Sequence, residues 1–272
     1  MKERLLNPQI LLFKDVGATR IGRSHVSARR SNSVANRLDG ADRPFHDWYR
    51  FVLSFPPHLV REYIDRFGLK PEHRILDPFC GTGTTLVEAN LSRLRAVGIE
   101  VNPVAHFASA TKTDWSVNVR DLRLAASQIA DRTEVAISRA RKLRTLPEES
   151  MSLLLSGSIC PVPLHKSLLL RETIDDYCPP RLIAHARLAF AKTLVRSASN
   201  LHFGPEVGVR GSREDADVVG AWRENMILVA SDLESTDGRR SPGALVFRAD
   251  SRALDNLFPP ESIDAVFTSP PY

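Results

Sequence analysis

With 272 residues, 43% of them hydrophobic and 25% charged, the chain has the make-up of an ordinary globular protein with material for a real core. No apolar run approaches the ~20 residues of a membrane span, and the short apolar stretch 10–13 lacks the surroundings of a signal peptide. Cys80, Cys160 and Cys178 are too few and too scattered for a disulfide framework or a zinc site, so a reducing cytoplasm is expected.

The net charge of +5 is unevenly placed: residues 1–50 hold ten Lys/Arg against five Asp/Glu, which leaves the remainder balanced. Residues 1–45 are expected to form a basic, flexible arm. Arg20, Arg23, Arg29, Arg30 and Arg37 sit among polar residues there, suited either to a phosphate backbone or to solvent. A first α/β segment is expected over 46–114. After Pro56-Pro57, the residues Leu59, Val60, Tyr63, Ile64 and Phe67 recur at helical spacing, and Gly68 closes that helix. RILD (Arg74 to Asp77) reads as a buried strand, TTLVEANLSRL (Thr84 to Leu94) as a helix, and AVGIE (Ala96 to Glu100) as a second strand. Strand, glycine turn, helix and strand in this order predict the first half of a doubly wound, Rossmann-like parallel sheet.

Residues 115–235 read as a helical insertion. Leu122, Ala126, Ile129, Ala136, Ala140 and Leu143 mark one apolar stripe, with Arg120, Arg123, Arg132, Arg139, Arg141, Lys142 and Arg144 beside it. Those cations suit a solvated face or a DNA-facing helix. Pro147, Pro161 and Pro163 are expected to break the pattern. Helices are predicted from Pro180 to about Ser197 and from Val218 to Leu233, with a loop over Ser199 to Glu206 turning at Gly204-Pro205. The α/β pattern resumes over 236–272: ALVFRAD (Ala244 to Asp250) and IDAVFTSP (Ile263 to Pro270) read as the third and fourth buried strands.

The chemistry concentrates in two places. In DPFCGTGTT (Asp77, Pro78, Phe79, Cys80, Gly81, Thr82, Gly83, Thr84, Thr85), the two glycines let backbone turn sharply and approach a ligand. The free N–H groups of the following helix can hold a carboxylate or phosphate. Glu100, 23 residues after Asp77, stands where a strand-end acid takes both hydroxyls of a ribose. A nucleoside-type cofactor follows from strand, loop, helix and acid together. Leu86 fills the position where a dinucleotide site would have its third glycine.

This loop closely resembles the S-adenosylmethionine loop of amino-group methyltransferases acting on nucleic acids. The resemblance covers about 51–105 and 244–272. It implies that Phe55 and Pro56 lie near the methionine end of S-adenosylmethionine, that Glu100 and Asn102 mark the ribose-binding strand end, and that Asp250 contacts the adenine amino group. The motif Ser269-Pro270-Pro271-Tyr272 answers a chemical need of such enzymes. An exocyclic amine is a poor nucleophile because its lone pair is delocalised into the ring. The Ser269 hydroxyl and the Pro270 carbonyl can accept its hydrogens, while Tyr272 offers a ring on which a base stacks. A base of double-stranded DNA reaches such a clamp only by flipping out. Direct transfer then depends on alignment.

In this family, Ser-Pro-Pro-Tyr resembles the cytosine-N4 version, whereas Asp or Asn in place of the serine is commoner for adenine N6. Cytosine N4 is therefore the expected target, with adenine N6 the alternative and an RNA guanine-N2 enzyme a third reading. Cytosine-C5 chemistry lacks its Pro-Cys pair, no P-loop lysine is present, and the eight histidines show no metal spacing. Enzymes of the family continue past the clamp with further strands. An alternative expectation of a different class is therefore a cofactor-binding half of a split or truncated methyltransferase, inactive alone unless a second polypeptide supplies the missing half.

Overall fold

The computed structural model describes residues 40–51, 54–203, 206–236 and 243–269. Residues 1–39 of the expected basic arm, with Arg20, Arg23, Arg29, Arg30 and Arg37, and the residues Pro270, Pro271 and Tyr272 lie outside these. Two compact units are present: one of residues up to 46 together with 53–113 and 241–272, the other of 47–52 and 114–240.

In the first unit, helix α1 (Pro57–Arg66) starts at a proline, whose missing N–H is not needed in a first turn. It stops where Gly68 takes φ +61°. Strand β1 (Arg74–Asp77) leads through the glycine loop into α2 (Thr84–Leu91), then β2 (Arg95–Ile99) and α3 (Pro103–Thr113). The helix expected to reach Leu94 ends at Leu91, because Arg93 turns left-handed at φ +61° and sends the chain straight into β2. After the second unit, β5 (Ala244–Phe247) and β6 (Ala265–Val266) complete a four-stranded sheet of order β5-β2-β1-β6, every pairing parallel. The strands are shorter than the expected spans to Asp250 and Pro270. Ile75, Leu86, Ala89, Leu94 and Ala96, all buried, pack with Val60 and Ile64 of α1 and with Phe267. Burying each large apolar side chain of this kind contributes about 1.5–3 kcal/mol.

Residues 40–46, placed by the sequence in or beside a loose arm, are instead held down. Asp42, Phe45 and His46 are buried. His46 Nε2 lies 2.8 Å from Glu88 Oε1, which Arg61 Nη1 also reaches at 2.9 Å, and Arg61 Nη2 donates to Asp42. Burial by itself would raise the Asp42 pKa, but Arg61 and His58 hold it below its usual value. Burial pushes the His46 imidazole down, against the pull of Glu88.

The second unit is helical. It contains α4 (Val119–Arg139), the short α5 (Glu148–Ser152), α6 (Pro161–Tyr177), α7 (Ile183–Thr193) with a π-turn over Leu194–Ala198, and α8 (Val218–Glu234). Two expectations fail here. Pro161 and Pro163 do not break a helix; they begin α6, in the first turn where proline is tolerated. Within Ser199 to Glu206, expected to be a loop, Leu201–Phe203 forms strand β3, paired antiparallel with β4 (Val207–Val209); the expected turn at Gly204-Pro205 lies outside the described residues. Helix α8 packs on α4 and α7, and α4 packs on α6. Leu122, Ala126 and Ile129 are buried as expected, but the helix ends at Arg139, leaving Ala140 and Leu143 exposed beyond it. Trp48, which the sequence assigned to the α/β segment, belongs to this unit: its Nε1 donates to Asp232 Oδ2 at 2.7 Å and its ring meets His185 edge-on. No helix among the described residues is long and apolar enough to cross a membrane.

Candidate functional site

The chain fills the sheet on one side of β1 with β2 and β5, then returns to the other side with β6. A parallel sheet opens a crevice at the carboxyl ends of strands where the winding reverses, here β1 and β6. Asp77 ends β1, and Phe267 N donates to Leu76 O at 3.0 Å, so Thr268 and Ser269 follow at the same edge of the sheet. The glycine loop and the start of the expected clamp thus emerge from neighbouring strands.

The loop is held from several sides. Cys80 N donates to Ile99 O at 3.0 Å, and Gly83 N to Cys80 O at 2.8 Å. Ser251 Oγ donates to Pro78 O, and Lys112 Nζ donates to Thr82 O at 2.8 Å. Lys112 is 1% exposed, an unusual depth for a lysine, so its ammonium is committed to the interior beneath the loop. The Cys80 thiol faces Ser109 Oγ at 3.7 Å, and burial pushes its pKa far up, so it is no nucleophile. Gly83, at φ +86°, caps α2; a Cβ there would stand 2.7 Å from Ser109 Oγ and 3.1 Å from its Cα. Gly81, at φ +52°, faces open space. The two glycines therefore do different work: Gly83 admits α3, and Gly81 leaves room above the loop.

The acids also divide. Asp77 is fully buried and accepts from Thr85 Oγ1 at 2.6 Å and Phe79 N at 3.2 Å. Burial raises its pKa to about 7, with the nearby Glu100 charge adding to the rise. Thr268 also helps to hold that pKa down, but its buried hydroxyl closes no hydrogen bond of ordinary geometry. Asp77 therefore braces the loop from beneath. Glu100, half-buried at the end of β2, accepts from Gly81 N through Oε2 at 2.9 Å and from Asn102 N through Oε1 at 2.7 Å. It reaches across to the glycine loop. Asn102 caps α3, its Oδ1 accepting from Val104 N at 2.9 Å and Ala105 N at 3.1 Å. Asp250 is exposed and clasped by Arg252, whose hydrogen bonds lower its pKa to about 2; it also caps the turn Ser251–Asn256. Phe55 and buried Pro56 lie at the start of α1, Phe55 against the core.

Thr82, Thr84 and Thr85 are buried and Pro78 is enclosed with them, whereas the Phe79 ring is 41% exposed and Val101, next to Glu100, is 69% exposed. No side chain caps the N-terminus of α2. An uncapped helix start, open space over Gly81, a strand-end carboxylate and exposed apolar residues suit a ligand with an anionic end, a ribose and a flat ring. Sequence reasoning missed Ser109, Lys112, Ser251 and Thr268. Ser251, adjacent to Asp250, and Thr268, adjacent to Ser269, carried a positional signal; a single lysine in a helix ordinarily reads as solvated. Among the described residues no cluster of His, Cys, Asp and Glu could hold a metal.

Residues 24–110 match the DNA methylase family of N6/N4 type. The chain is 34% identical over 89 residues to the type II methyltransferase M.BsoBI of Geobacillus stearothermophilus, covering 32% of this chain and 18% of that protein. It is 25% identical over 250 residues to the type II methyltransferase M.MvaI of Kocuria varians, covering 84% of this chain and 53% of that protein. It is also 42% identical over 111 residues to a tRNA (guanine(10)-N2)-dimethyltransferase of Methanothermobacter thermautotrophicus, covering 36% of this chain and 32% of that protein. The chain spans about half or less of the length of these relatives. No solved structure matches it.

Proposed function

We propose that this chain, of the N4/N6 DNA amino-methyltransferase family, transfers a methyl group from S-adenosylmethionine to the N4 amino group of cytosine in double-stranded DNA. The observation that carries the reading is the emergence of the braced glycine loop and of Thr268-Ser269 from adjacent parallel strands, β1 and β6. S-adenosylmethionine supplies an electrophilic methyl group when bound. The uncapped start of α2 would hold its carboxylate, Glu100 its ribose hydroxyls, and Val101 and Phe79 would cover its purine. Asp77 and Lys112 would keep the loop in shape without touching the donor. Asp250, given its Arg252 clasp, would reach an adenine amino group only by giving up part of that pairing.

On the amine side, Ser269 and Pro270 would accept the hydrogens of the exocyclic amine, and Tyr272 would stack on the flipped base. Burial of the loop threonines excludes water from beneath the site. Alignment of nitrogen and methyl, not a strong base, does most of the work. The reaction is placed in a reducing cytoplasm, where buried and unpaired Cys80, Cys160 and Cys178 stay as thiols. The outer edge of β6 has no strand partner among the described residues. Further strands, from the same chain or from a second polypeptide, would add there.

The test is methylation of a duplex with a labelled donor, followed by digestion to nucleosides. Label in N4-methylcytosine is expected; label in N6-methyladenine would move the target to adenine. The tRNA-methyltransferase relative favours one second reading, guanine N2 in RNA. Label in tRNA but none in DNA would replace the first reading with that one.

A further inference from the structure

Within the helical unit, α4, the stretch following it and α6 enclose a cleft of about 950 Å³. Five cationic side chains line it: Arg132, Arg139, Arg141, Lys142 and Arg144. They are set against three acids, Asp131, Glu172 and Asp176. Elsewhere in this unit, Arg123 pairs with Glu234, Arg181 with Asp121 and Arg187 with Asp175, while exposed Arg120, Arg171 and Arg223 have no ion-pair partner among the described residues but stand apart from one another along the sequence. In the cleft, Arg144 pairs with Glu172, but Arg139, Arg141 and Lys142 have no ion-pair partner among the described residues. Three cations in four consecutive residues repel one another, and the fold leaves them gathered at a concave surface. Such a gathering is stabilised by an anion with several regularly spaced charges.

Two further features favour a nucleic acid. The Arg132 guanidinium lies 4.4 Å over the ring of Tyr177, which is 55% exposed, so the fork is fixed in place at the cleft wall. The remaining wall includes apolar Val135, Ala136 and Leu143; of its three acids Glu172 is held by Arg144, which leaves Asp131 and Asp176 against the four cations Arg132, Arg139, Arg141 and Lys142. We propose that this cleft binds the phosphate backbone of duplex DNA, Arg139, Arg141 and Lys142 making the ionic contacts and Arg132 on Tyr177 bounding them. The proposal rests on the DNA reading above, and it assigns the helical unit a positioning contact that carries no sequence information by itself.

The experiment compares the full chain with the triple variant R139Q/R141Q/K142Q. Duplex affinity is measured by fluorescence anisotropy from 50 to 200 mM salt, and S-adenosylmethionine affinity by calorimetry on the same preparations. Each phosphate contact contributes about 0.9 to the slope of log K against log salt, so loss of three should flatten the salt dependence over this range by roughly 40-fold. Donor affinity should stay unchanged, which also certifies the fold. The conservative variant R139K/R141K should keep most of the slope. Equal duplex affinity and equal slope in wild type and triple variant would overturn the cleft while leaving a DNA enzyme standing. Donor binding with no duplex binding by the wild type would overturn both. Polyglutamate competing as well as duplex would mean a general polyanion surface, and would overturn the assignment to DNA.

Discussion

The glycine loop and the helical unit reach order by opposite means. Around the loop, order comes from backbone approach: at Gly98 a Cβ would lie 2.6 Å from Leu86 Cδ1 and 2.8 Å from Cys80 Sγ, and Gly83 presses against Ser109 in the same way. In the helical unit, order comes from side-chain bulk. Trp222 is fully buried, fills the space between helices, and satisfies its one polar atom by donating to Ala186 O at 3.0 Å. At Gly83 and Gly98 the first region has no room for an added atom, and at Trp222 the second depends on bulk already present. A ligand site needs the former, since a loop braced this closely keeps its shape before any ligand arrives.

That contrast breaks most readily at its extremes. Trp222→Ala should cost about 4 kcal/mol, the range for emptying a large buried site, read as a shifted denaturant midpoint with unchanged slope. A loss under about 1 kcal/mol would mean that α8 repacks, and that bulk is not what orders the helical unit.

Asp77 gives an effect of similar size, spread over pH. Its folded pKa of about 7 stands above the 3.8 of a free aspartate. The folded state therefore binds its proton more tightly, and stability is fully present below about pH 4 and falls as pH rises towards 7. The displacement corresponds to about 4 kcal/mol at most. Asp77→Asn should flatten this slope while keeping an acceptor for Thr85. An unchanged slope would show that Asp77 is solvated and does not brace the loop from below.

Gly98→Val should be the smallest of the three, about 3 kcal/mol from overpacking. Its sharper signature is a loss of donor affinity, because the displaced atoms are Cys80 of the loop and Leu86 of α2. Trp222→Ala, corrected for unfolded protein, should leave donor affinity alone. If both variants lost donor binding equally, the two regions would not differ in the way described.

How much of this was legible in the sequence follows from the same division. The parallel pairing could be anticipated because RILD and AVGIE are short apolar runs joined by a glycine turn and one helix, which leaves few alternatives. Glycine spacing marks where backbone must come close, and it stands in the sequence as plainly as in the structure. What the loop rests on did not: Lys112 and Ser109 reach it from α3, about 30 residues downstream, and no local pattern distinguishes a buried lysine from a solvated one. Asn102 and Asp250 stood out as ligand contacts, yet both also have local structural work, capping α3 and the turn after β5. Short polar side chains at element ends serve either purpose. In the helical unit, Pro161 and Pro163 were misjudged because proline starts a helix as readily as it ends one. The β3–β4 hairpin was missed because three-residue strands leave almost no alternation to detect.

The central claim is that one crevice holds the donor through the loop and Glu100, and the amine through Ser269. A paired measurement of S-adenosylmethionine affinity and methyl transfer to duplex, made on Glu100→Ala and Ser269→Ala under conditions where the parent protein is active, tests it most directly. Glu100→Ala should weaken donor binding by about 10- to 100-fold, the worth of charged hydrogen bonds, with turnover at saturating donor much less affected. Ser269→Ala should bind donor as the parent does and lose most of its turnover. Unchanged donor affinity in Glu100→Ala, together with full turnover in Ser269→Ala, would contradict the account.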